Sequence, residues 1–531
     1  MTGDGCRCGD GTDPRQAGEP DNPPSGPLRL TRLPALFPPP PRAPSAPAPA
    51  PPAPAPAACC PREWIPSPPT PLRTACLPAT HPRPPPADIK QASAMPFLRL
   101  PNEDVDMFYR TNLPFVPGPS PPSSGPCITA ASPEEEYGGA ITPSRPLPPD
   151  REVLLLLPGT MIDSRDMAEL FRSPLSEQYT LISLDPRSVG QTRNAPLLAR
   201  DSWTDAVDFV KAMDTLGIDS AHVLAASGLS VTAAKRMAIL WPHRVKSLVL
   251  LAIANPDPPD WIQESWNELL ERYLTAKDLE TMEDCVNEFH PLAYGEYLSE
   301  ARIDEVVQYW ETQYYPANGS RFYDWACPFL LRQRLPIEYT SLIRAPCLIM
   351  NGATTLVSTP EEAELLRAAL TNAAGGAKLV ILPDAPDQFH WIPQFAAILI
   401  DEMRSFYAQL SQPDSKYTPL PRPFLNSEED EWKRALLELS KLRNDPEIAK
   451  RDPARTESFS CVAEAILQER KAAYAGIRRS EKGAFSPFGP NGELPRLYVH
   501  SHSHFHLHLH LLSTRQAEIA RPPSRPPREL R

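Results

Sequence analysis

Unbroken apolar runs alternate with amphipathic stretches through the middle of the chain. Val153 to Leu157 is such a run, closed by Pro158-Gly159, and predicts a strand covered on both faces. Thr180 to Leu184 predicts the next strand, followed by Asp185-Pro186-Arg187. The period then changes to that of a helix over Trp203 to Leu216, with Asp201 or Ser202 as cap and Gly217 as stop. A strand over His222 to Ala225, a helix from about Val231 to Leu240 and a strand over Lys246 to Ile253 come next. Much later, strands over Cys347 to Met350 and Lys378 to Leu382 precede a helix over Gln394 to Leu410. Upstream, MPFLRLPNEDVDMFYRTN from Met95 predicts a strand, a turn at Pro101 to Asp104, and a second strand over Val105 to Tyr109. Strands alternating with helices imply right-handed crossovers and a mostly parallel, doubly wound sheet, an α/β fold.

Between Asn255 and Arg344 the strand pattern stops, and helical periodicity carries a dense set of aromatic residues. Rings in that number need a common core or a cavity to bury them, and as a group they predict a lid over an apolar pocket.

Composition sets the limits of this region. Seventy prolines occur in 531 residues. They crowd into residues 1–94, where PPPPRAPSAPAPAPPAPAPA begins at Pro38, and into a second stretch from 111 to 150. Such segments supply no core, so the head is expected to be disordered or polyproline II. A proline-rich ligand for a groove-lined adaptor is the more specific reading of the head, and a solvated extension the plainer one. Met95, at the boundary, is a candidate translation start, which would make the head a gene-model extension. The net charge of -12 argues against a protein that lives on phosphate backbones, so no nucleic-acid partner is expected. No apolar stretch is long enough to span a membrane, and the N-terminus lacks the pattern of a secretory signal, so a cytoplasmic location is expected. Ten cysteines are too sparse for a disulfide scaffold; five lie in the head, where Cys6, Cys8, Cys59 and Cys60 lack zinc-ligand spacing and are read as free thiols.

The order of elements and the residues at their ends resemble the α/β-hydrolase fold, in the branch with a helical cap between the sixth and seventh strands. The resemblance runs from about Met95 to Leu410. LLLLPGT at 154–160 is similar to the strand and turn that supply the oxyanion hole, and LDPRSVGQT at 184–192 to the D-x-R-G-x-G-x-S/T turn. DSWTDAVDFVKAMDTLGIDSAHVLAAS at 201–227 is similar to the helix and strand that lead to the nucleophile, and WPHRVKSLVLLA at 241–252 to the strand after it. The organisation expected is a head at 1–94, a hydrolase-like domain at 95–411 with an insertion at 111–150 and a cap at 255–344, and a tail at 412–531. In the tail, helices are expected from Ser427 to about Lys441 and from Ser460 to Arg479, with low complexity beyond.

Hydrolysis in this fold needs a serine on a sharp strand-to-helix turn, a histidine to take its proton and a carboxylate to orient the histidine. Counting forward from the strand puts Ser227 at the nucleophile position, with Leu229 large where a glycine is wanted. Counting back from Pro242 puts Gly228 there, leaving no nucleophile. Thr355 stands where the resemblance implies the acid. Asp387 stands at the base position, and His390 lies three residues later. Pro158 replaces the histidine of the oxyanion turn, leaving Thr160 or Met161 as donors. Asp257, after the strand before the cap, is an alternative acid, which gives a candidate triad of Ser227, His390 and Asp257.

Two functions follow from these departures. The leading one is a degenerate or noncanonical hydrolase homologue that holds a small apolar molecule beneath an aromatic cap. The other is a serine hydrolase of esters, lactones or related carbonyl compounds through Ser227, His390 and Asp257. No cofactor or metal is expected. The alternating histidines of VHSHSHFHLHLHLL, His500 to His510, would share one face of a strand, but no acidic or cysteine ligand accompanies them, and metal capture there is read as adventitious.

Overall fold

The apolar runs become strands of a single sheet. In the computed structural model, the residues described are 97–113, 147–160, 162–256, 260–330, 332, 334–355, 357–412, 420 and 427–488. The proline-rich head, most of the 111–150 stretch, Met161, Asp257 and the histidine run at 500–510 lie outside the described residues.

Nine strands form the sheet: β1 (Phe97–Arg99), β2 (Val105–Thr111), β3 (Glu152–Leu157), β4 (Tyr179–Leu184), β5 (Arg193–Asn194), β6 (Ala221–Ala226), β7 (Val245–Leu251), β8 (Cys347–Gly352) and β9 (Ala377–Leu382). Their spatial order is β1-β2-β4-β3-β6-β7-β8-β9, with β5 paired to β2. β1 and β2 are antiparallel, β2 joins β4 antiparallel, and every pairing from β4 through β3, β6, β7 and β8 to β9 is parallel.

Successive residues of the central strands face opposite sides, as the pleat requires. Leu155, Leu157, Val223, Ala225, Leu248 and Leu250 enter one core, and Leu154, Leu156, Leu224, Ala226, Val249 and Leu251 the other. This explains why the strands read as continuous apolar runs rather than as alternating ones.

The helices, in chain order, are α1 (Ala168–Phe171), α2 (Leu175–Gln178), α3 (Ser202–Leu216), α4 (Gly228–Leu240), α5 (Asp260–Leu274), α6 (Leu279–Tyr294), α7 (Glu300–Gln313), α8 (Gly319–Leu330), α9 (Ile337–Thr340), α10 (Pro360–Ala369), α11 (Pro393–Leu410), α12 (Glu428–Arg443) and α13 (Glu464–Ser480). α3 begins where its cap predicts: Asp201 accepts from the Trp203 and Thr204 amides, and Thr204 returns a bond from the Asp201 amide. α4 differs from expectation, starting at Gly228 rather than near Val231, because Gly228 lets the helix follow directly on the corner at Ser227.

The cap, α5 to α8, is inserted between β7 and β8 and has its own core. Trp310 packs its ring against Tyr273, Phe289, Tyr314, Phe322 and Trp325 at centroid separations of 5.3–5.6 Å. Most of the cap's rings therefore serve packing, and four of them, Trp266, Phe289, Trp325 and Phe329, line the cavity described below.

The helices after residue 411 differ from an appended tail. Ala435, Leu436, Leu439, Ile448 and Phe459 are buried in the same core as β3, β6 and α4. Trp432 and Phe459 lie against Trp241, with ring centroids 5.2 and 5.9 Å away. The chain then crosses to the cap, where Ile477 joins the cap core and Phe488 meets Tyr315. Among the described residues no helix is long and apolar enough to cross a membrane.

Candidate functional site

β6 ends at Ala226 and α4 begins at Gly228, so Ser227 alone makes the corner. Its φ of 55° and ψ of 167° lie where residues with side chains rarely sit, a conformation that costs about 1–3 kcal/mol and tends to mark functional sites. The corner is held from outside. The Ser227 amide donates to the Leu251 carbonyl on β7 at 2.9 Å, and Ser230 Oγ donates to the Pro158 carbonyl after β3 at 2.5 Å. Gly228 follows with φ 45°, and a Cβ there would lie 2.4 Å from Thr160 Cγ2, so no larger residue fits. The forward register is thus the one the fold adopts: Ser227 occupies the elbow. Gly228 and Thr160, two candidates for oxyanion donors, flank it, and the first amides of α4 have no acceptor within the helix. Met161 lies outside the described residues.

The partner of Ser227 is not a histidine. Gln388 Nε2 donates to Ser227 Oγ at 2.5 Å and lies 3.5 Å from Thr160 Oγ1. Gln388 is itself fixed, its amide donating to the Ala293 carbonyl of α6 at 2.8 Å, so it spans from cap to elbow. Gly159 makes room for it: a Cβ at Gly159 would come within 2.2 Å of Gln388 Oε1.

His390, in a short 3-10 turn before α11, is turned to a different partner. Its Nε2 lies 3.0 Å from Asp166 Oδ2, and both side chains are almost wholly buried. The same Asp166 oxygen accepts from the Gly159 amide at 2.7 Å. Burial raises the Asp166 carboxyl above its ordinary value, against the opposing pull of His390. His390 therefore braces the turn after β3 through Asp166. The structure does not bring Ser227 and His390 together, since each is engaged elsewhere, and Asp257 lies outside the described residues. Of the two described residues of the candidate triad, Ser227 stands at the elbow and His390 is paired with Asp166.

Asp387, at the position counted for the base, also lines the cavity. Ser358 lies beside its carboxyl and favours the charged form, while Oδ1 has no partner among the described residues. Burial pushes this carboxyl up to about 7, with Ser358 and the Arg332 charge pulling the other way. Ser358 is set by Asn351, whose Nδ2 donates to its carbonyl at 2.6 Å and whose Oδ1 accepts from the Ile253 amide at 2.8 Å. Thr355, at the position of the acid, closes this loop by donating to the same Ser358 carbonyl.

The cavity below the cap is bounded by Ser227, Gly228, Thr160, Gln388, Asp387 and Ser358 at its polar end. Trp266, Phe289, Leu292, Trp325, Phe329 and Val357 form much of the remainder. It holds about 440 Å³ of space not filled by atoms, part of it open to solvent. It is a narrow slot, suited to a single ring or a short chain. No cluster of three or more metal-ligating side chains occurs among the described residues.

Sequence reasoning missed Gln388 and Asp166. Gln388 is the immediate neighbour of the counted position, and only the path of the turn after β9, which passes through Asp384 at φ 59°, brings it rather than Asp387 to Ser227. Asp166 carries no signal in the sequence, because its partner is 224 positions away.

Residues 152–392 match the family described as alpha/beta hydrolase fold. No curated protein sequence matches the chain. Among solved structures, the enol-lactonase of Burkholderia xenovorans LB400 is 16% identical with a TM-score of 0.43, covering 59% of this chain and 100% of that one. An esterase of Thermogutta terrifontis is 16% identical, with a TM-score of 0.42 and coverage of 58% and 95%. A hydrolase of Pseudomonas aeruginosa PA01 is 18% identical, with a TM-score of 0.44 and coverage of 60% and 99%. The match at residues 152–392, together with the sheet order described above, identifies this part of the chain as an α/β-hydrolase fold, here with a helical cap inserted between β7 and β8.

Proposed function

We propose that this protein binds a small apolar molecule under its aromatic cap and does not run acyl-enzyme chemistry. The observation that carries the reading is the partner of Ser227. A carboxamide positions a hydroxyl but cannot accept its proton as a base, so Ser227 lacks the activation that nucleophilic catalysis requires. The residue that would supply it, His390, is held by Asp166, which also accepts from the Gly159 amide. What persists is a shaped apolar slot with a few polar groups at one end, the ordinary form of a small-molecule site.

The competing reading is a serine hydrolase of esters, lactones or related carbonyl compounds through Ser227, His390 and Asp257. The strained elbow favours it. It requires Gln388 to leave Ser227 and His390 to leave Asp166 together. Turnover of p-nitrophenyl acetate and of a simple γ-lactone by the full chain separates the two. The binder reading expects rates no higher than those of the Ser227→Ala variant, and a rate at least about a hundredfold above that variant, the scale of general-base assistance, would refute it.

A further inference from the structure

The cavity is apolar except at one end, and there it contains a group left incomplete. Asp387 is 6% exposed, and its Oδ1 is buried without a hydrogen-bond partner among the described residues. The neighbouring groups leave that oxygen without a hydrogen bond. Ser358, beside the carboxyl, is held in place by the bond from Asn351 to its carbonyl. The Arg332 guanidinium, the charged group that acts on Asp387, makes its hydrogen bonds to the Asn255 and Phe329 carbonyls. A buried acceptor left unsatisfied is costly, and natural sites seldom keep one without a use.

We infer that the slot takes an apolar molecule with a hydrogen-bond-donating group at one end, a hydroxyl or a protonated amine, which Asp387 Oδ1 receives. This rests on the binder reading above and adds the class of ligand to it. The aromatic walls accept the body of the ligand, and rings such as Trp266 and Trp325 also tolerate a cation near their faces. A neutral hydrocarbon would fill the walls and leave the carboxyl oxygen unpaired.

Calorimetry on the full chain with toluene, benzyl alcohol and benzylamine tests this with one ring and three ends. Either donor-bearing ligand should bind about tenfold or more tightly than toluene, the scale of one hydrogen bond to a carboxylate, and Asp387→Leu should abolish that advantage. Equal binding of all three by the wild-type chain overturns the inference whatever the variant does, and so does an advantage that survives Asp387→Leu. If toluene binds and the others bind no better, the inference fails and the cavity reading stands. If none of the three binds, both fail.

Discussion

Gly159 meets two side chains that define the site, and small changes there are expected to be felt. A Cβ at this position would press on Gln388 Oε1 at 2.2 Å and on Asp166 Oδ2 at 3.0 Å. Gly159→Ala should therefore lower the unfolding free energy by about 1–3 kcal/mol in urea titrations, the ordinary penalty of overpacking. His390→Ala removes the buried partner of Asp166, whose Oδ2 keeps only the Gly159 amide, and should also cost about 1–3 kcal/mol. A His390→Ala protein with unchanged stability would contradict the bracing role. Asp387 gives a pH signature. Its carboxyl is raised from 3.8 to about 7, so the folded state holds this proton more tightly than the unfolded chain does. The stabilisation is full below 3.8 and is lost as pH rises through about 7. Urea midpoints measured from pH 4 to pH 8 should thus fall less steeply in Asp387→Asn than in wild type, and identical slopes would remove the assignment.

At the scale of elements, the strands were legible because each is a run of apolar residues bounded by turn residues, and because parallel pairing buries both faces. α3 was legible from its cap and its glycine stop. The role of α12 and of the segment after it was not. α12 is strongly charged and buries few apolar side chains, Ala435, Leu436 and Leu439 among them, and nothing local reveals that these reach the sheet core. The 3-10 turn at Thr456–Phe459 is tied in by polar contacts with the distant chain: the Thr456 amide donates to Glu103 at 2.7 Å, and its hydroxyl to Asp208 at 2.9 Å. Phe459 is fully buried between Trp241 and Trp432. Phe459→Ala should cost about 3–5 kcal/mol of stability by denaturant titration, as for an aromatic in a core, whereas a loosely appended tail would show almost no change.

Across the whole molecule, buried ion pairs join parts that the chain keeps far apart. Arg187 pairs with Asp208 at 2.5 Å and Glu103 at 3.2 Å, Arg200 pairs with Asp324 of the cap at 3.7 Å, and Asp324 also accepts from Ser188 Oγ at 2.6 Å. This network fixes the cap to the turn after β4, and the crossing from α12 to α13 fixes it again from outside. The slot is thereby given a defined shape before any ligand arrives. The sequence made the family and the elbow serine legible, since both depend on short-range pattern. Which residue would face that serine was beyond it, because the turn after β9 and the helix α6 together decide between Asp387, Gln388 and His390. The central claim is that Ser227 is not an activated nucleophile, and it is tested most directly by exposing the full chain to a fluorophosphonate probe and reading the Ser227 peptide by mass spectrometry. The predicted result is a folded protein with Ser227 unmodified. Stoichiometric modification of Ser227, abolished by His390→Ala in a protein that stays folded, would contradict it.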